Sequence, residues 1–406
     1  MMSCRGLVNL LLSQEVTNQA TDHILKSSDP RACQDTKPFQ TKQAQPSFSI
    51  PTVGTPVWTT KPMSPENLPF SSMRSQRLIE SALTHSPLSL TTVEHNNGAD
   101  FLVWRNMTPK IDSHGHVFTK VSTEFPREVS ELIPIDHEEP VEKLLIEMER
   151  NQVDQAVLVQ TGGADIASHA YLLHCLKSYP KHFLGIGLIP QHIADVSRHM
   201  DKLAGNSAIV GFRLSSLGGP RDPFAQIDIR KFKTFPIWEH AAEKDYVLWL
   251  YLRAIDAQLI PYLLEEFPQV RVVINHLGIC PGRGKFSVDQ DGRPQVETPA
   301  YNPAFHTTHR LARYENVMIH LSGQYAFSKE DYPYQDLAGW HRSLLEIYGI
   351  EKLMWATDFP WIFKNPGYDK MSRIIDELLP DLSEYEYNQI GGGNAQKFLR
   401  FPACHD

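Results

Sequence analysis

An α/β architecture, a (β/α)8 barrel behind a largely irregular N-terminal extension, is what the chain predicts, and three observations carry it. From Pro109 onward, short apolar segments alternate with amphipathic ones, the pattern of βαβ units with right-handed crossovers. Several apolar segments, such as Ala156–Val159 and Val270–Ile274, are near-continuous, as strands buried on both faces read. There are eight of them in about 290 residues, the size of one closed barrel. The rival, a doubly wound open sheet, more often carries a Gly-rich phosphate loop after its first strand, and none follows here.

In chain order, residues 1–108 form the extension. Asp29–Leu68 is rich in Pro, Ser, Thr, Gln and Lys and lacks apolar periodicity, so it buries too little to offset its ordering entropy. One helix is expected inside the extension, over Ser72–Thr84, on Met73, Leu78, Ile79 and Leu83. The barrel domain is expected over 109–402. Its strands are Lys110–Phe118, Gln155–Gln160, Phe183–Ile189, Ile209–Leu214, Tyr246–Leu252, Val270–His276, Val317–Ser322 and Leu353–Asp358. Helical patterns lie near 140–151, 164–178, 191–204, 235–244, 256–267, 302–314, 335–348, 369–379 and 384–399. The connection Gly278–Tyr301 is long for a compact domain and reads as a lid over the barrel mouth. Tyr325, Phe327, Tyr332 and Tyr334, after the seventh strand, are candidates for lining a planar or apolar pocket.

Composition narrows the partners. The 406 residues carry a formal charge of −8, which offers no basic patch to nucleic acid. No apolar run approaches the roughly 18–20 residues that span a bilayer. The five cysteines, Cys4, Cys33, Cys175, Cys280 and Cys404, are odd in number and contain no CxxC pair. A disulfide framework or zinc knuckle is therefore not expected, and a reducing, cytoplasmic setting fits. Gly6–Leu12 is apolar but short, with no small-residue cleavage site after it, so no cleaved secretory signal is expected. The partner implied is a small-molecule substrate, and a homo-oligomer is compatible with the chain.

In such barrels the chemistry sits at the C-terminal ends of the strands. The first strand ends in Ile-Asp-Ser-His-Gly-His-Val, residues 111–117. Strand alternation puts His114 and His116 on one face, with Asp112 on the same parity. Two imidazoles converging from one short strand suit a metal or a polarised water. The later strands end in Gln160, Arg213, Tyr251 (with Arg253 two further on), His276, Ser322 and Asp358. Singly each has a structural reading: a hydrogen-bonded histidine, an aspartate capping a turn, or Arg213 paired with a barrel carboxylate such as Asp112. Their convergence at one mouth is the functional signal.

The residues that carry this pattern resemble the amidohydrolase superfamily. The nearer branch is the amidohydrolase-related one, with 2-pyrone-4,6-dicarboxylate lactonase, fuconolactonase-type lactonases and, more distantly, aminocarboxymuconate-semialdehyde decarboxylase. The matching pieces are Ile111–His116, Val210–Leu214, Val272–Gly278 (Val-Val-Ile-Asn-His-Leu-Gly), Leu321–Gly323, Thr357–Pro360 and Gly393–Ala395. They span about 109–401, the whole expected barrel. In metal-dependent members the two His of strand 1, a His of strand 5 and the Asp of strand 8 surround a divalent metal. Here the fifth strand, Tyr246–Leu252, has no His. The resemblance then implies His114, His116 and Asp358 as the ligand set if zinc or manganese is bound, and no required cofactor if not. Loss of that His is typical of the lactonase side, so hydrolysis of a lactone or related ester or amide is expected. Asp358 is the expected base toward water. His114 and His116 polarise the carbonyl, and His276 stabilises the oxyanion. Arg213 and Arg253 clamp a substrate carboxylate, with Gln160, Tyr251 and Ser322 completing the binding surface. The alternatives are a metal-dependent decarboxylase or hydratase of the same superfamily, and a non-catalytic binding barrel.

Overall fold

A computed structural model describes residues 90–93, 101–104, 108–190, 193–222, 224–279, 286–296 and 304–402. The helix expected over Ser72–Thr84 lies outside them. Within the extension, Leu90–Val93 pairs antiparallel with Phe101–Trp104.

Eight parallel strands form the barrel: β1 Ile111–Gly115, β2 Gln155–Val159, β3 Phe183–Leu188, β4 Ile209–Leu214, β5 Val247–Leu250, β6 Val272–Ile274, β7 Val317–Leu321 and β8 Leu353–Trp355. They lie in sequential order, each hydrogen-bonded to the next. The seam between β8 and β1 closes just beyond the strands: His116 N donates to Phe359 O at 2.6 Å and Asp358 N to His114 O at 2.9 Å. The expected (β/α)8 barrel is the observed one.

Alternation sorts the strand residues into two layers. Ile111, Val157, Val159, Leu184, Ile186, Val247, Trp249, Val273, Met318 and Met354 fill the interior. Residues of opposite parity, such as Leu158, Phe183, Leu248, Val272, Ile319 and Trp355, pack against the helices. Those helices follow their apolar stripes. Val141–Arg150 buries Val141, Leu144 and Met148, spaced three and four apart. Val196–Ala204 buries Val196, Met200 and Leu203, and Asp195 caps it by accepting from Arg198 N. The last helical stretch, Glu384–Leu399, loosens into a π-turn over Gln389–Gly393. A Cβ at Gly392 would fall 1.7 Å from Pro109 O, so only glycine lets this helix touch the start of β1. From there Ala395, Leu399 and Phe401 join the interior cluster beneath the strands.

Several strands are shorter than the sequence suggests. β1 stops before His116, β6 before Asn275 and β8 before Ala356. His276, Leu277 and Asp358 have φ of 48°, 59° and 63°, a left-handed backbone that leaves strand geometry. The connection read as a lid holds an antiparallel hairpin, Phe286–Val288 with Pro294–Val296; residues 280–285 and 297–303 lie outside the described set. Gln295 Nε2 ties this hairpin to Tyr325 O at 3.1 Å. Among the described residues, no helix is long and apolar enough to cross a membrane. Of the cysteines, Cys175 is described; it is buried, and burial pushes its thiol up to about 12.

Candidate active site

The site begins with an irregularity in β1. Its pairing with β2 shifts register between Asp112 and Gly115. Strict alternation would put Asp112 beside His114, and the shift separates them. Asp112 turns to the helix layer, accepting from Thr357 N at 2.9 Å, Thr357 Oγ1 at 2.5 Å and Tyr368 Oη at 2.9 Å. His114 turns inward to Trp249 and Asn275. Asp112 is therefore a staple across the barrel seam, and the shared parity and the Arg213–Asp112 pair are both corrected. Burial pushes the Asp112 carboxyl up to about 6, against the hydrogen bonds from Thr357 and Tyr368.

The convergence expected at the mouth is present. Asp358 Oδ1 lies 3.6 Å from His114 Nε2 and 3.4 Å from His116 Nε2, and Oδ2 lies 3.8 Å from His276 Nδ1. Tyr325 Oη donates to Oδ2 at 2.7 Å. All of these side chains are buried. Burial alone would raise the Asp358 pKa; the charge that His276 takes up in acid and the Tyr325 hydrogen bond act against it, and the carboxyl is held well below the usual range. Burial lowers His276 to about 4 and holds His114 well below its ordinary value, so both are neutral imidazoles near pH 7. Ser322 Oγ stands 3.1 Å from His276 Nδ1, and the Tyr251 ring meets the His276 ring edge-on at 4.9 Å. The Arg213 guanidinium lies 5.3 Å from the centre of the Tyr251 ring and acts electrostatically on Asp358.

Two of the expected binding residues have partners in the loops around the mouth. Gln160 Nε2 donates to Thr161 O and Ser168 O, both at 2.8 Å, which commits its amide nitrogen to bracing the loop after β2. Arg253 precedes the helix Ala254–Ala257, where its charge acts on Asp256, which accepts from Leu217 N in the loop after β4.

The donor set fits a divalent cation. His116 Nδ1 is 2.8 Å from Val159 O, and a carbonyl only accepts, so the proton sits on Nδ1 and Nε2 presents a lone pair to Asp358. Asp358 Oδ1 is buried without a hydrogen-bond partner, an acceptor among acceptors. His114, His276 and Asp358 each offer a ligand atom within 4.8 Å of the others, a grouping with His276 where the expected set had His116.

These features accompany a family match. The amidohydrolase family model matches residues 98–401. The chain belongs to the amidohydrolase family. Solved structures share the fold of this amidohydrolase. One described as a probable 2-pyrone-4,6-dicarboxylic acid hydrolase of Acinetobacter baumannii, with citric acid bound, is 20% identical with a TM-score of 0.54, over 72% of this chain and 99% of that one. An amidohydrolase of Burkholderia multivorans with bound zinc is 18% identical with a TM-score of 0.55, over 72% and 100%. No curated protein sequence matches the chain.

In this amidohydrolase, sequence reasoning missed a polar layer under the mouth. His320, on β7, is fully buried, with its ring 5.4 Å from His114 and 5.1 Å from Trp249. The alternation Met318, His320, Ser322 would have found it, since inward positions on β7 share a parity. Tyr325 was visible as an aromatic near the mouth, but its bond to Asp358 crosses 33 residues of sequence.

Proposed function

We propose that this amidohydrolase hydrolyses a lactone or related carboxylic ester. The supporting observation is the ionised Asp358 carboxylate enclosed by His114, His116, His276 and Tyr325, with the Arg213 cation beside Tyr251. Arg213 supplies a charge for an anionic substrate group, and a guanidinium matches a carboxylate bidentately. A solved structure of the same fold is described with citric acid, a carboxylate-bearing molecule, bound. His276, neutral and close to Ser322, is suited to hydrogen-bond the carbonyl oxygen as negative charge develops. Asp358 takes the proton of the attacking water at Oδ1, the oxygen without a partner. Once protonated, it returns that proton to the departing alkoxide, which leaves the carboxylate as it began. A divalent cation would be held by His114, His276 and Asp358, with His116 beside them, and would supply Lewis-acid polarisation of carbonyl and water.

The test is a panel of lactones and cyclic esters, with and without Zn²⁺ or Mn²⁺, run on wild type, Asp358→Asn and His116→Ala. The reading expects at least one lactone to be opened by wild type, with that rate falling by about 10³-fold or more in Asp358→Asn. Release of CO₂ from a carboxylate substrate with no lactone opened would overturn it in favour of decarboxylation. Equal rates in wild type and Asp358→Asn would remove Asp358 from the chemistry.

A further inference from the structure

His116 has its tautomer imposed by the Val159 carbonyl, but two neighbours compete for Nδ1 of His114. Trp249 Nε1 lies 3.0 Å from that atom. An indole N–H only donates, so this bond needs a lone pair on Nδ1 and puts the His114 proton on Nε2. There it faces the lone pair of His116 Nε2, 3.3 Å away. The chain Trp249 to His114 to His116 to Val159 is then complete, and the lone pair that His114 would offer a cation is covered by a proton.

Asn275 favours the other form. Its amide nitrogen fits 3.0 Å from Leu250 O, since the reverse orientation sets two acceptors face to face. The amide oxygen then stands 3.2 Å from His114 Nδ1, 3.1 Å from Trp249 Nε1 and 3.1 Å from His320 Nδ1. When His114 Nδ1 carries the proton and donates to this oxygen, Nε2 is bare beside His116 Nε2 and Asp358 Oδ1. Three N–H donors face one oxygen with two lone pairs, so the indole and the imidazole are rivals for it.

We infer that Trp249 and Asn275 form a tautomer selector beneath His114 that sets the protein's affinity for a divalent cation. Trp249 holds the closed, cation-poor form, and Asn275 holds the open form. Both act through His114 and are positioning residues. The inference concerns the site of the proposed hydrolase but needs no substrate, so its failure is separable from failure of the lactone reading.

The experiment measures Zn²⁺ and Mn²⁺ dissociation constants by chelator competition on cation-free wild type, Trp249→Phe and Asn275→Leu. Nitrogen NMR of ¹⁵N-histidine-labelled protein reads the His114 tautomer alongside. Trp249→Phe is expected to tighten binding about fivefold, the worth of one ordinary hydrogen bond, and to shift His114 toward the Nδ1–H form. Asn275→Leu is expected to weaken binding by about the same factor and shift His114 toward Nε2–H. Unchanged affinity and tautomer in Trp249→Phe would overturn the inference. If either variant does not fold, labelled wild type decides: a cation-free His114 wholly in the Nδ1–H form overturns it, and a population of Nε2–H supports it.

Discussion

Tyr325 Oη donates a 2.7 Å hydrogen bond to Asp358 Oδ2, joining the short helix Gln324–Phe327 to the turn after β8. The phenol is buried, and burial together with Asp358 pushes its pKa well above 10, so it stays a donor. Removing it in Tyr325→Phe takes away one of the groups that hold Asp358 ionised, and the carboxyl pKa rises. The base is lost when it is protonated, so the acid limb of the kcat/KM profile moves to higher pH. The fall in activity is therefore expected in acid, with the rate at neutral pH little changed. A pH–rate profile of both proteins checks this; coincident acid limbs would separate Tyr325 from Asp358.

Gly323 determines where His276 can stand. Its φ is 76°, and a Cβ there would fall 2.9 Å from His276 Nδ1. Gly323→Ala should strain the backbone and push the imidazole away from Ser322 and Asp358. We expect a loss of kcat/KM of about 10²-fold, the cost of misplacing a reacting group by about 1 Å. The accompanying loss of stability should exceed about 1 kcal/mol. Kinetics and thermal melts on the same preparation measure the two effects separately.

Asp112 holds the seam. In Asp112→Ala the hydroxyls of Thr357 and Tyr368 and the amide of Thr357 lose their acceptor in a buried place. At about 1–3 kcal/mol for each unsatisfied group, a destabilisation of about 3 kcal/mol or more follows. Asp112→Asn, which keeps one acceptor oxygen, should cost less. Urea denaturation of the three proteins gives the order directly.

His169 and His341 make stability depend on pH away from the mouth. Each is fully buried, and burial lowers each to about 4. His169 accepts from Leu188 N through Nε2, and His341 donates from Nδ1 to Leu337 O. As pH falls from 6.5 to 4 the unfolded chain takes up these protons and the folded chain does not, so stability falls through that window. Each histidine accounts for about 3 kcal/mol at the lower end. Asp112, raised to about 6, works in the opposite sense, because its folded form binds a proton first as pH drops. His341→Asn keeps a donor for Leu337 O and should flatten the slope of unfolding free energy against pH between 4 and 6.5. An unchanged slope would show that His341 is protonated in the folded state.

Residue order alone was enough for the architecture, because burial on both faces writes a strand as an apolar run and burial on one face writes a helix as a stripe. The runs Ala156–Val159 and Val270–Ile274 and the stripe Val141, Leu144, Met148 are local signals, and they placed the eight strands with errors only at the ends. The strand-end rule likewise picked out His114, His116, His276 and Asp358 before any of them had a measured neighbour. It failed where a residue's direction depends on pairing: the register shift in β1 turned Asp112 from the mouth to the seam. It failed again where the partner is distant in sequence, as with Tyr325 on Asp358 and Trp249, 135 residues from His114. Periodicity reports which face a side chain takes; which atom it meets there is decided when the barrel closes, since only then do β1, β5, β6, β7 and the turn after β8 share one interior.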